Sequence, residues 1–305
     1  MKPHSILSLI ACVTCTALLI TSCNKDKPEP DTESQTVIDH SMADAEFSYV
    51  QTEVNGVAIN EKGLQKKMAG DTTFYNKGCN GCVQVLTVSP YDSALFPKSV
   101  TIDFGNNTTC VSCDGKIRKG KLMVSFSKPW KEAGAIATVT TENYYVNNNL
   151  IEAKVILTDI NGIDTGNSSL NPKFNRQVMS LDGTGDAVIT LTTGEKIRHR
   201  GNVTVEQTAG HSTPSNFSDD VITYYGTASG QNRKNRTYSV TIEEATKIRK
   251  ASTCKWIEDG TMKITPNNLA ERTIDFAYPA SSGSGVCDGE VKITVNGNSF
   301  NVTLE

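Results

Sequence analysis

The chain has 305 residues, a formal net charge of −3 and 37% hydrophobic content. This slightly acidic balance excludes an electrostatic grip on nucleic acid, which needs a clustered basic surface. Two local basic runs, Lys116 to Lys121 and Arg198-His199-Arg200, read as solvated strand faces.

The first 22 residues carry an address before any fold is considered. Lys2 supplies a positive start, and Ile6 to Ile20 is mostly apolar, too short to span a bilayer comfortably, and followed by small residues. That pattern predicts a cleaved export signal over 1–22. Ile20-Thr21-Ser22-Cys23 has the form of a bacterial lipobox, so Cys23 is expected to carry diacylglycerol and an N-acyl chain as the new N-terminus. Several acyl chains give stable membrane anchoring where one does not. The expected address is the bacterial cell envelope, as an outer-membrane lipoprotein facing the periplasm or the exterior. Asn24 to Asp44 is polar and contains Pro28 and Pro30, so residues 23–45 read as the lipidated cysteine and a disordered tether.

Residues 46–305 then form the folded domain, large enough for a substantial core. Its apolar residues alternate with polar ones, at Val100, Ile102 and Phe104, at Leu122, Val124 and Phe126, and at Val203 and Val205. The same pattern returns at Tyr238, Val240 and Ile242 and at Val291, Ile293 and Val295. Period two predicts half-buried antiparallel strands. Further strands are expected at Ile136 to Thr140, Tyr144 to Val146, Lys154 to Leu157 and Ala187 to Leu191. Asn55-Gly56, Thr193-Gly194 and Gly226 to Gly230 read as turns. Asn296-Gly297 suits a two-residue type I′ turn, which sets Ile293 opposite Phe300 and Val291 opposite Val302. Helical turns are expected only at Glu61 to Ala69 and Glu243 to Lys250. The expected class is all-β, a large antiparallel meander forming a twisted or partly closed half-barrel, with two β-sandwiches as the alternative.

An internal repeat frames this domain. Thr101-Ile102-Asp103-Phe104-Gly105 runs on to Cys113-Asp114-Gly115, and Thr273-Ile274-Asp275-Phe276 runs on to Cys287-Asp288-Gly289. Cys82 lies 21 residues before Asp103, as Cys254 lies 21 residues before Asp275. Of nine cysteines, Cys12 and Cys15 leave with the signal, Cys23 takes the lipid, and six remain. An even number in an exported domain points to disulfides. If the copies fold alike, Cys254 pairs with Cys287 and Cys82 with Cys113, leaving Cys79 for Cys110. The cross-pairing of Cys79 with Cys113 and Cys82 with Cys110 stays open.

The chemical candidates are few. Cys79-Asn80-Gly81-Cys82 and Cys110-Val111-Ser112-Cys113 could offer four thiolates to zinc. An oxidising envelope and the single cysteine at each end of the second copy favour disulfides instead. Neither a metal nor a cofactor is therefore expected. Repeated acids at Asp103, Asp114, Asp275 and Asp288 could hold calcium, but lack the spacing of a calcium loop and read as turn caps. Asp159 to Asp164 reads as a tight turn for the same reason.

Candidate bases beyond the signal are His40 in the tether, His199 on a predicted strand edge and His211 in a loop. No nucleophile elbow or zinc-protease helix accompanies them. Asp219-Asp220 reads as an exposed turn rather than a glycosidase pair. Trp130 and Trp256 could form a sugar platform, although Trp256, two residues from Cys254, is better placed to pack on a disulfide. No catalytic residue is assigned.

Ile102-Asp103-Phe104-Gly105, Cys113 to Lys121, Asn143-Tyr144-Tyr145-Val146-Asn147 and Cys287-Asp288-Gly289 resemble the corresponding stretches of a family of uncharacterised Bacteroidota lipoproteins. The resemblance covers nearly all of the chain beyond the tether and implies lineage without an activity. Cys79 and Cys110 look additional to that pattern, and Ala277 stands where a glycine is expected. The resemblance also implies O-glycosylation at Thr72 and Ser93, and it likens Lys25-Asp26 to the charged export tags of surface lipoproteins. The expected function is a lipid-anchored envelope protein that binds a glycan or an envelope polypeptide. The alternatives are an enzyme acting on envelope polysaccharide and an assembly partner of an outer-membrane complex.

Overall fold

In the computed structural model, residues 29–60, 73–76, 83–90, 95–106, 110–130, 132, 134–160, 176–181, 187–210, 213, 218–278 and 286–305 are described. Their alternating patterns become seventeen strands among the described residues. The first are β1 (Thr73–Asn76), β2 (Val83–Ser89), β3 (Lys98–Asp103), β4 (Arg118–Phe126), β5 (Ile136–Val146) and β6 (Asn149–Glu152). Next come β7 (Lys154–Asp159), β8 (Arg176–Leu181), β9 (Ala187–Thr190), β10 (Lys196–Ala209), β11 (Val221–Gln231) and β12 (Thr237–Ile242). The last are β13 (Ile248–Ala251), β14 (Thr261–Pro266), β15 (Arg272–Asp275), β16 (Glu290–Val295) and β17 (Asn298–Thr303).

All of them join one antiparallel meander, so the half-barrel expectation holds and the two-sandwich alternative does not. Short strands lie end to end along longer ones: β6 and β7 along β5, β8 and β9 along β10, β12 and β13 along β11. Among the described residues β1 pairs only with β2 and β17 only with β16, which leaves the sheet open. The last hairpin has the predicted register, Ile293 opposite Phe300 and Val291 opposite Val302. Its turn residues Asn296 and Gly297 sit at φ +49° and +79°, as a type I′ turn requires.

The repeat is structural as well as sequential. Leu86 and Asp103 of the first copy have counterparts in Met262 and Asp275, because Ile102 pairs with Leu86 as Ile274 pairs with Met262. Asp103 accepts from the N–H of Gly105 at 2.8 Å, and Asp275 from that of Ala277 at 3.1 Å. Asp114 accepts from Lys116 N–H at 3.2 Å, and Asp288 from Glu290 N–H at 3.0 Å. All four acids therefore cap turns.

Several expectations need correction. Gly226 to Gly230 is not a turn but the middle of β11, where a Cβ on Gly226 would stand 2.5 Å from the Asn202 carbonyl oxygen of β10. Those glycines permit close backbone approach between strands. The segments expected as two strands at 136–146 are one, β5, interrupted by Asn143 at φ +46° opposite a register shift in β4 at Lys119/Lys121. A short 3-10 turn at Glu244–Thr246 is all the helix found in 243–250, and the helical turn expected at Glu61 to Ala69 lies outside the described residues.

The largest correction concerns the stretch read as tether. Residues 31–305 form one compact unit, and Gln35–Asn60 is an α-helix, α1, that includes Asn55-Gly56. Its start is fixed by the Glu33 carboxylate, which accepts from the N–H of Thr36 at 2.9 Å and places negative charge at the helix's positive end. Val37, Ala43, Phe47, Val50, Val54 and Val57 are all buried, and they join the inward residues of the sheet in a single continuous core. The opposite side is buried too: Ser41, Ala45, Ser48 and Tyr49 are each at 5% exposure or less, and the polar Asp39, His40, Gln51 and Glu53 at 0%. A helix of 26 residues, about 39 Å long, is thus wrapped by the meander and buried on all sides.

Candidate functional site

A helix buried on all sides must satisfy its polar side chains with groups from the sheet, since unpaired buried charge costs several kcal/mol. Residues of the strands and of the turns between them do this in steps along α1. Near its start, the fully buried Arg272 of β15 reaches Asp31 at 2.7 Å and Glu33 at 2.9 Å. Thr36 accepts from Asn232 at 2.9 Å, and Asp39 accepts from both the main-chain N–H and Nε of Arg233, at 2.6 and 2.7 Å. Burial raises Asp39 above the ordinary carboxyl value despite Arg233. Near the helix end, Trp130 Nε1 donates to Asn55 at 2.9 Å. Trp130 is therefore a helix anchor inside the core rather than a sugar platform.

Midway along α1 lies a charged network. Arg118 of β4, fully buried, binds Asp114 and also reaches Glu46 of α1 at 3.2 Å, while Lys116 Nζ meets the other Glu46 oxygen at 2.5 Å. The Tyr49 ring lies under the guanidinium, 3.4 Å from its carbon. Burial pushes Asp114 up, but Arg118 and Lys116 outweigh it and hold the carboxyl below its usual range. Lys250 of β13 shares this region and donates to the Cys254 carbonyl. Desolvation, reinforced by Lys116, lowers its ammonium to about 8. The basic run Lys116 to Lys121 is thus not a solvated face, because Lys116 and Arg118 point inward.

Between these two groups stands a cluster of two histidines and a carboxylate. His40 and Asp44 lie four residues apart on one face of α1, and His199 projects inward from β10 between the outward Arg198 and Arg200. His199 therefore sits on an interior strand of the sheet, not on an edge. His40 Nε2 is 3.3 Å from Asp44 Oδ2, and His199 Nε2 is 3.4 Å from Asp44 Oδ1. The Tyr224 hydroxyl of β11 donates to Asp44 Oδ2 at 3.3 Å. Phe47 stacks on the His199 ring at 5.4 Å, and Tyr238 meets the His40 ring edge-on at 5.5 Å. Burial raises the Asp44 carboxyl, but attraction to His40 and His199 outweighs it and leaves the group below the ordinary value.

A cavity of about 10 Å³, lined by Asp44, Ser48, His199, Gly201 and Tyr224 among others, adjoins this cluster. It has room for about one water. Chemically, two imidazoles and a carboxylate can exchange a proton or hold a metal ion. Sequence reasoning missed the cluster because it placed His40 in the tether. The four-residue spacing of His40 and Asp44, followed by the run Ala43, Phe47, Val50, Val54 and Val57, was the available signal.

The remaining expectations divide cleanly. Cys254 and Cys287 form the expected disulfide, S–S 2.04 Å; the Trp256 main-chain N–H lies 3.4 Å from Cys254 Sγ, and its indole ring lies against Gly289. Cys110 and Cys113 are both disulfide-bonded, so their sulfurs are not thiolate ligands for zinc. Cys79 and Cys82, and with them the pairing pattern, lie outside the described residues, as do Cys23, Thr72, Ser93 and His211. Asp219 accepts from Thr213 at 2.6 Å in an exposed turn, while Asp220 is buried and accepts from Gln207 at 3.1 Å. No described helix is long and apolar enough to cross a membrane. No family profile, curated protein or solved structure matches the chain.

Proposed function

We propose that the protein is a lipid-anchored component of the bacterial envelope, held at the membrane through Cys23, that binds a glycan or a neighbouring envelope polypeptide on its outer surface. The observation that carries this is the interior of the meander. It is occupied by α1, whose buried Glu46 and Asp39 are bound by Arg118 and Arg233, and the cavity beside Asp44 has room for about one water. A ligand of sugar or peptide size would therefore meet the outer face. The disulfide between Cys254 and Cys287 supports export to an oxidising compartment.

In sequence, the compact unit begins close behind the proposed anchor. Asp31 is already bound to Arg272, so only residues 24–30 separate it from Cys23, a span of at most about 29 Å. The domain would work near the membrane surface, which also suits an assembly partner of an outer-membrane complex. An enzyme acting on polysaccharide would need acids converging in an open cleft.

Fractionation of cells carrying the wild-type chain or Cys23→Ala tests the anchor, and protease treatment of intact cells tests display. Retention of the wild type in membranes and release of Cys23→Ala supports the proposal. Equal solubility of the two removes it. Digestion of the domain on intact cells places its ligand outside, and full protection restricts the ligand to the periplasm.

A further inference from the structure

The buried cluster of His40, Asp44 and His199 matches a metal site in composition and in spacing. One ligand atom from each residue lies within 4.8 Å of the others. The two histidine-to-carboxylate separations, 3.3 and 3.4 Å, are longer than a good N–H···O bond. Each is close to the separation of about 3.4 Å between two ligands placed tetrahedrally around an ion at roughly 2.1 Å, the usual zinc distance. Because they run to Oδ2 and Oδ1 respectively, one ion between the rings would take both carboxylate oxygens or a small turn of Asp44. His40 is fully buried, yet neither ring nitrogen lies in hydrogen-bond geometry with any described residue.

Space and rigidity also fit. Gly201 keeps the ground beside His199 open, since a Cβ there would stand 3.3 Å from Nε2. The small cavity reaches the Asp44 carboxylate, His199 and Tyr224 together. His40 and Asp44 come from adjacent turns of one helix, and His199 from a strand paired on both sides, so all three donors sit on regular elements. The geometry points to a structural site for one divalent first-row transition ion, zinc by preference. His40, His199 and Asp44 supply three ligands, and the Tyr224 hydroxyl or a water in the cavity completes four. Such an ion would tie α1 to β10 at the centre of the domain, and its uptake would be coupled to folding because the site is closed.

The test is metal content and spectroscopy on the full mature protein, purified without a histidine tag. Unfolding in chelator followed by refolding with zinc, with cobalt(II), or with neither supplies the samples. We expect one equivalent of zinc per folded chain, X-ray absorption showing only nitrogen and oxygen ligands, and a tetrahedral cobalt spectrum. Asp44→Asn and His199→Gln should each weaken zinc binding at least about a hundredfold. Wild-type protein that folds fully in chelator and takes up neither ion afterwards would overturn the proposal. So would sulfur ligation, or undiminished binding by both variants when folded. If the variants do not fold, the wild-type stoichiometry and ligand set still decide the matter.

Discussion

Arg118 donates to both oxygens of the Asp114 carboxylate, at 2.6 and 2.8 Å, from a position with no solvent exposure. Its Nε also donates to the Tyr144 hydroxyl at 3.1 Å, so the guanidinium joins the turn after Cys113, strand β5 and helix α1. Removing it strands Asp114 without its principal cation and leaves Glu46 with Lys116 alone. Arg118→Ala should cost about 3–5 kcal/mol in urea unfolding, the usual penalty for breaking a buried pair. Arg118→Met with Asp114→Leu and Glu46→Gln should recover most of that loss. A loss below about 1 kcal/mol for Arg118→Ala would contradict the network.

Acid should unfold the domain through the same carboxylates. Asp114, and in the metal-free protein Asp44, lie below the ordinary carboxyl value of 3.8 in the folded state. Their contribution is complete above that value and is lost as pH falls through their lower folded values. Asp39, raised by burial, acts with the opposite sign and offsets part of the loss. Urea midpoints should fall as pH drops below about 4, and Asp114→Asn should flatten the fall. A midpoint that does not change between pH 5 and pH 2 would contradict this assignment.

Alkali should first help and then harm. Lys250 titrates at about 8 when folded and at 10.5 when exposed, so the folded state releases its proton first and stability rises with pH through that window. The full gain is roughly 3 kcal/mol, and Lys250→Met should abolish it. Tyr224 and Tyr238 are raised well above 10 by burial and by Asp44, so the folded state keeps protons that the unfolded chain loses, and stability falls above that pH. Thermal midpoints should therefore peak near pH 10. A monotonic decline from pH 7 would contradict both assignments.

The sheet was legible because its signals are local. Period-two alternation located β4, β12 and β16, and Asn296-Gly297 fixed the final register to the residue. The Ile-Asp-Phe to Cys-Asp-Gly repeat named one disulfide and the Asx turns at Asp103 and Asp275. The helix was illegible for a physical reason. Asp39, His40, Asp44, Glu46 and Glu53 look like a solvated surface, and only their distant partners, such as Arg233 and His199, make burial tolerable. Those partners lie 70 to 194 residues away in sequence, beyond the reach of any local pattern. The strand glycines misled similarly: Gly226 signals a turn by composition, but answers to the backbone of β10.

The Cys254–Cys287 bond closes a loop of 33 residues, for which chain-entropy reasoning gives about 3–4 kcal/mol. The double variant Cys254→Ala with Cys287→Ala should lose about that much in urea unfolding, with Trp256 fluorescence following the same transition. Unchanged stability would show that the loop is held by its other contacts, including Trp256 Nε1 to the Leu304 carbonyl at 3.2 Å.

The most direct measurement on the anchored, disulfide-bonded domain is the intact mass of the protein extracted from membranes, before and after reduction and alkylation. We expect a chain beginning at Cys23 with the added mass of its acyl groups, no alkylation before reduction, and six alkylated cysteines after it. A chain that begins elsewhere, or a Cys23 that alkylates with the others, would contradict the proposed anchoring.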